Sequence, residues 1–271
     1  APEAARMLCT LLENRIPVAR VVPCPVADGG DGTLQVLQDA LGLDRVEARV
    51  LDPLGRPHTA FFGRSETNRL AVIEMALASG LSLLSPDERD PLRASSHGTG
   101  ELVLQAVRCG AREILVALGG SANVDGGLGF LQALGARFQA DGPLPEAAGG
   151  GALDSIRSVD LSPARETLRG VRLAGLCDVK LPLLGPSGSR LFMPQKGASQ
   201  EQADRLEEAL GRFERKLSRD CGRDLGEIPG TGAAGGLGLV LLALGGTLES
   251  GFDRVAQLIH LEERIRDCDA V

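Results

Sequence analysis

Four aspartates and one lysine of this chain stand in bends rich in glycine. Asp28 and Asp31 lie in Ala27-Asp-Gly-Gly-Asp-Gly-Thr33, Asp125 lies in Gly119-Gly-Ser-Ala-Asn-Val-Asp-Gly-Gly127, and Asp178 follows the apolar run Val171–Cys177. Lys196 sits in the tight sequence Met193-Pro-Gln-Lys-Gly197. That inventory suits phosphoryl transfer. Carboxylates hold Mg2+, backbone N–H groups and a lysine neutralise phosphate oxygens, and an acid orients the attacking hydroxyl. Such chemistry rests on positioning and electrostatics and needs no dedicated nucleophile. Asp28 and Asp31 are the metal candidates, because Mg2+ takes one or two carboxylates and completes its shell with water and substrate phosphate.

The elements that must position these groups are legible in the hydrophobic pattern. Ile114–Leu118 reads as a buried strand, and Leu128, Leu131 and Leu134 mark a helix beyond the glycine loop. A strand that runs through such a loop into a helix gathers unpaired N–H groups and the positive helix end at one point, where anions bind. Gly119, Gly120, Ser121, Asn123, Asp125 and Gly126 are therefore binding candidates, although an ordinary turn with Asp125 as helix cap uses the same residues. A strand at Val18–Val22 would feed the Asp28 loop, with Gly29, Gly30 and Thr33 beside it, and a helix over Leu34–Leu41 would end at Gly42. Val46–Phe62 predicts a hairpin turning at Asp52-Pro-Leu-Gly55, and Leu70–Glu74 a short buried strand with Glu74 at its carboxyl end. Ligands of open α/β sheets bind beyond that end, so Glu74 joins the candidates, with a salt-bridged surface acid as the alternative.

Ser95-Ser-His-Gly-Thr-Gly-Glu101 precedes an expected helix over Leu102–Cys109. Ser95, Ser96, Gly98, Thr99 and Gly100 would cap that helix or hold a carboxylate or phosphate. Asp141–Ala152 reads as a surface loop, Ser199–Ser218 as an amphipathic helix, and Leu239–Leu244 and Phe252–Arg266 as further helices. Pro2–Asn14 is a helix with Met7, Leu8, Leu11 and Leu12 on one face. Gly230-x-Gly232-x-x-Gly235 matches a dinucleotide fingerprint and would suit a nicotinamide oxidoreductase. Asp224–Pro229 is not an apolar strand, however, and no acid follows at the required spacing.

Composition excludes several classes. The 271 residues carry 36 acids against 29 Lys and Arg, a net charge of −7, and no Tyr or Trp. An acidic chain without those rings is not built for nucleic acid. No apolar run approaches the ~18–20 residues of a membrane span. The six cysteines are scattered without C-x-x-C spacing, which together with the absence of a signal peptide points to reduced thiols in the cytoplasm. The chain lacks an initiator Met and stops at Asp269-Ala-Val271, which resembles the start of a strand. A fragment clipped at both ends is the expectation.

Five strings carry a resemblance: VADGGDGT (26–33), RDPLRASSHGTGELVLQA (89–106), GGSANVDGGLGFLQALGARF (119–138), CDVKLPLLGPSGSRLFMPQKGA (177–198) and PGTGAAGGLG (229–238). In order and spacing they resemble the successive motifs of the type I bacterial glycerate kinases. The resemblance implies an ATP- and Mg2+-dependent phosphorylation of D-glycerate, commonly at the 2-hydroxyl. It also implies two α/β domains with the site in the cleft between them. Residues 1–45 plus 240–271 would be parts of an incomplete Rossmann-like domain, and 46–239 a flavodoxin-like domain inserted in it. Asp28, Asp31, Asp178 and Lys196 fall on its motifs as catalytic candidates, with Gln195, Gly232 and Gly235 as binding candidates. Val124 and Leu181 stand where the family pattern has Asn, and Met193 where it has Gly. Those departures motivate an alternative, a small-molecule binder that has lost the chemistry.

Overall fold

The computed structural model describes residues 2–16, 20–266, 268 and 269. In chain order the first elements are helix α1 (Pro2–Arg15), helix α2 (Thr33–Leu41), strands β1 (Asp44–Leu51), β2 (Pro57–Ser65) and β3 (Leu70–Glu74), and the short helix α3 (Ala76–Ser79). Helix α4 (His97–Arg108), strand β4 (Glu113–Ala117), helix α5 (Leu128–Ala133) and strands β5 (Arg137–Ala140) and β6 (Ile156–Asp160) follow. The chain continues through α6 (Ser162–Thr167), β7 (Arg172–Leu176), α7 (Gln200–Cys221), α8 (Ala233–Ala243), β8 (Thr247–Glu249), α9 (Gly251–Leu258) and α10 (Leu261–Arg266).

Six strands form one sheet in the order β1-β2-β3-β4-β7-β8, and β5 pairs with β6 separately. The β1–β2 hairpin joins β3 in antiparallel fashion, whereas β3, β4, β7 and β8 run parallel. This is an α/β fold with a mainly parallel central sheet. The strand residues divide by parity between two apolar layers. Ala71, Ile73, Ile114, Val116 and Leu173 enter one cluster with residues of α4, α5, α7 and α8. Leu70, Val72, Leu115, Ala174 and Leu176 enter another with residues of α2 and α9. Alternate side chains of a strand point to opposite faces, so both faces are covered. That is why LAVIE is apolar throughout rather than alternating.

Several expectations need correction. The strand expected at Val18–Val22 falls partly outside the described residues, and Arg20–Val22 is irregular, with Val22 66% exposed. The strand start expected at Asp269–Val271 lies mostly outside the described residues. The helix expected over Phe252–Arg266 is two helices, broken where His260 takes a positive φ. In α8, Ala234, Gly235 and Gly236 are all left-handed, so regular helix begins only after them. Gly149 and Gly150 of the expected surface loop are buried: a Cβ on Gly149 would lie 2.3 Å from the Arg93 carbonyl oxygen. The apolar face of α1 forms as read, but none of its residues is buried.

Phe130 of α5 is fully buried in the larger cluster. Phe130→Ala should destabilise the protein by about 3–5 kcal/mol, read as a lowered denaturant midpoint with an unchanged slope.

Candidate active site

One cavity of about 280 Å³ opens at the carboxyl ends of β4 and β7. Its lining brings together Asp28, Gly29, Gly30, Gly119, Gly120, Ser121, Asp178, Gln195, Lys196, Gly232 and Gly235 from four separate loops. The loops meet at van der Waals limits. The Gly119 N–H donates to the Gly29 carbonyl at 3.0 Å, and a Cβ on Gly119 would lie 2.4 Å from Gly30 Cα. Gly29 has φ of +89° and would place a Cβ 2.6 Å from the Leu176 carbonyl oxygen. Only glycine satisfies both constraints.

Two carboxylates sit at the rim. Asp28 Oδ1 accepts from the Gly30 N–H at 3.0 Å. Asp178 accepts from the Ser250 hydroxyl at 2.8 Å and the Phe252 N–H at 3.1 Å, so it caps α9 as it faces the cavity. Cys177 lines the cavity near both, and its thiol pKa is pushed up by burial, with Asp178 and Asp28 adding to the effect. A carboxylate accepts about four hydrogen bonds, so each acid keeps lone pairs free for a ligand or cation. No group of three or more metal-ligating side chains occurs among the described residues. A Mg2+ site of one or two carboxylates needs no such group, and Asp28 with Asp178 fits it.

Lys196 enters from below. It is 4% exposed, and its ammonium donates to Ser121 Oγ and to the Asn123 carbonyl, both at 2.8 Å. Burial pushes its pKa down to about 7, partly opposed by the Asp125 carboxylate. Asp125 is itself fully buried and holds the surrounding loops. Its Oδ1 accepts from Asn123 Nδ2 at 2.7 Å and the Gly127 N–H at 3.1 Å. Its Oδ2 accepts from the Ser96 N–H at 2.8 Å, the Ser96 hydroxyl at 2.7 Å and the Gly129 N–H at 3.2 Å.

Other candidates lie away from the cavity lining. Asp31 rests against Gly120 and near Glu74, and unlike Asp28 it is not one of the residues that line the cavity. Glu74 accepts from the Gly32 and Leu34 N–H groups, each at 3.1 Å, and caps α2. Burial raises its pKa, the two N–H bonds oppose the rise, and Asp31 adds to it. The Thr33 hydroxyl donates to the Gly30 carbonyl at 2.7 Å. His97 to Gly100 form the first turn of α4 rather than a loop. There Ser96 serves Asp125, Ser95 Oγ accepts from the His97 N–H, and Thr99 donates to Ser79 Oγ. Gly98 and Gly100 are packed against Leu51 and Phe130. Asn123 and Gly126 are buried behind the lining, where the Asn123 amide donates to the Ala234 carbonyl and the Gly126 N–H to the Gly235 carbonyl. Sequence reasoning missed Cys177, Ser189 and Phe192 as lining residues, since none carries a ligand-binding pattern of its own. Of the departures, Val124 and Met193 are core residues, whereas Leu181 lines the cavity.

The model of the glycerate kinase family matches residues 1–271. The chain belongs to that family. Its sequence is 41% identical to the glycerate 2-kinase of Escherichia coli K12 and 42% identical to the glycerate kinase of Bacillus subtilis 168. Each match covers the whole chain and 72% of the relative. A crystal structure of a Salmonella typhimurium LT2 protein assigned as glycerate kinase 2 superposes with a TM-score of 0.86 at 40% identity, covering 95% of this chain and 69% of that one. Among the described residues no helix is long and apolar enough to cross a membrane.

Two expectations follow. Asp125→Ala leaves several buried donors unpaired and should cost about 3 kcal/mol or more in a denaturant titration. Lys196, with a folded pKa near 7 against an ordinary 10.5, withholds a proton that the unfolded chain binds, so stability rises with pH between those values and the full penalty holds below 7. A bound phosphate reverses the preference. Nucleotide binding at about pH 8 should therefore take up close to one proton, and at about pH 6 almost none, as measured by calorimetry in buffers of different ionisation enthalpy. Lys196→Met should abolish the uptake.

Proposed function

We propose that this chain transfers the γ-phosphoryl group of ATP to D-glycerate and that the product is 2-phosphoglycerate. The observation that carries the reading is the convergence of Asp28, Asp178 and Lys196 on one cavity framed by glycine loops at the carboxyl ends of parallel strands. The name of the Escherichia coli relative, a glycerate 2-kinase, supports the choice of hydroxyl. In this reading Asp28 and Asp178 hold Mg2+, which when bound draws charge from the phosphate oxygens. Asp178, fixed by Ser250 and α9, also orients the acceptor hydroxyl and takes its proton as the new O–P bond forms and the bond to the leaving ADP oxygen breaks. Lys196 meets the phosphoryl oxygens, and N–H groups of the Gly29–Gly30 and Gly119–Gly120 bends supply further donors. Gln195, Gly232 and Gly235 complete the binding wall. The six free thiols fit the reducing cytoplasm.

Leu181 in the cavity, where the family pattern has an amide, favours the second reading of a binder without turnover. A coupled assay of glycerate-dependent ADP release separates the two, with phosphorus NMR to distinguish the 2- from the 3-phosphate. Asp28→Asn and Asp178→Asn should each lower kcat by about 10²- to 10⁴-fold. ATP binding with no glycerate-dependent turnover in the unsubstituted protein would leave only the binder.

A further inference from the structure

The chain has seven phenylalanines and neither Tyr nor Trp. Phe62, Phe130 and Phe213 are fully buried, and Phe61 and Phe138 pack against the apolar clusters. Phe252 is 44% exposed on α9, away from the cavity lining. Phe192 differs from all of these. It is half-buried, belongs to none of the apolar clusters among the described residues, and lines the cavity. Leu181 shares that condition, and Val179, though 44% exposed, also lines the cavity outside those clusters. The cavity therefore has an apolar side with no packing duty elsewhere, beside its acids and its lysine.

A three-carbon hydroxy acid has almost no apolar surface to offer this side. A purine has two flat apolar faces. We propose that Phe192, flanked by Val179 and Leu181, is the stacking platform for the base of the nucleotide, an inference that rests on ATP being the phosphoryl donor. The placement of Phe192 is fixed in advance. It ends one short turn, Ser189–Phe192, and Lys196 ends the next, Pro194–Lys196, so a single stretch delivers the aromatic ring and the ammonium to the cavity. The stretch is anchored by fully buried Met193, by the Ser189 hydroxyl donating to the Leu183 carbonyl at 2.7 Å, and by Arg190 paired with Glu207 of α7 at 2.8 Å. A ring held in this way gives up little conformational freedom when a base stacks on it.

The absence of Trp makes the test direct. In Phe192→Trp the only indole of the protein reports on the cavity, and ADP should quench or shift its emission saturably, whereas inorganic tripolyphosphate should not. Phe192→Ala should raise KM for ATP on the order of tenfold to a hundredfold. Its KM for glycerate should stay within about twofold and its melting temperature unchanged. Inhibition by tripolyphosphate, which has no base, should be equally strong in Phe192→Ala and the unsubstituted protein. Loss of tripolyphosphate inhibition in proportion to the loss of ATP affinity would overturn the inference, because the ring would then act only by placing Lys196. An unchanged KM for ATP, or an indole blind to ADP, would overturn it as well. If the Phe192→Trp indole reports ADP binding yet the unsubstituted protein never turns over glycerate, the kinase reading fails while the stacking platform stands.

Discussion

The buried Asp125 carboxylate is the constraint on which the site depends. A buried charge is tolerated only when it is fully hydrogen-bonded, and here five donors, two from Ser96 and three from Asn123–Gly129, meet that demand. Its bonds to Ser96 tie the start of α4 to the start of α5. Its bond to Asn123 sets the amide that reaches the Ala234 carbonyl, and the Asn123 carbonyl in turn receives Lys196. The lysine, the Ser121 bend and the left-handed turn at Ala234 are thus registered to one another through a carboxylate that lies behind the cavity wall. Ala234 has a Cβ and still holds φ of 53°, a conformation of about 1–2 kcal/mol that surrounding bonds must fix.

Much of this was legible in the sequence where burial imposes a period. LAVIE and Glu113–Ala117 are apolar because both faces of the sheet are covered, and α7 shows its stripe because one face meets the core and the other meets water. The short pairings were not legible. β8 has three residues and β5 four, too few for any period to register, and each forms because a neighbouring strand offers its edge. The left-handed run in α8 is likewise set by tertiary contact, since a Cβ on Gly235 would lie 2.1 Å from the Asn123 carbonyl oxygen.

The site was legible as an inventory but not as an arrangement. Capping and ligand binding use the same groups, and Glu74, Ser96 and Asp125, which read as binding residues, also hold helix starts. Asp28, Asp178 and Lys196 carry the same sequence signals, and what sets them apart is their place on the lining of one cavity, which the topology of the parallel strands decides. Phe192 gave no signal at all, since an isolated Phe in a sequence reads as core.

The position of Cys177 has a consequence for its reactivity. Peroxides and alkylating agents attack the thiolate, and burial, together with the nearby Asp178 and Asp28 carboxylates, pushes this thiol's pKa up and so disfavours that form. The same two acids that line the cavity thereby disfavour the reactive form of its one cysteine.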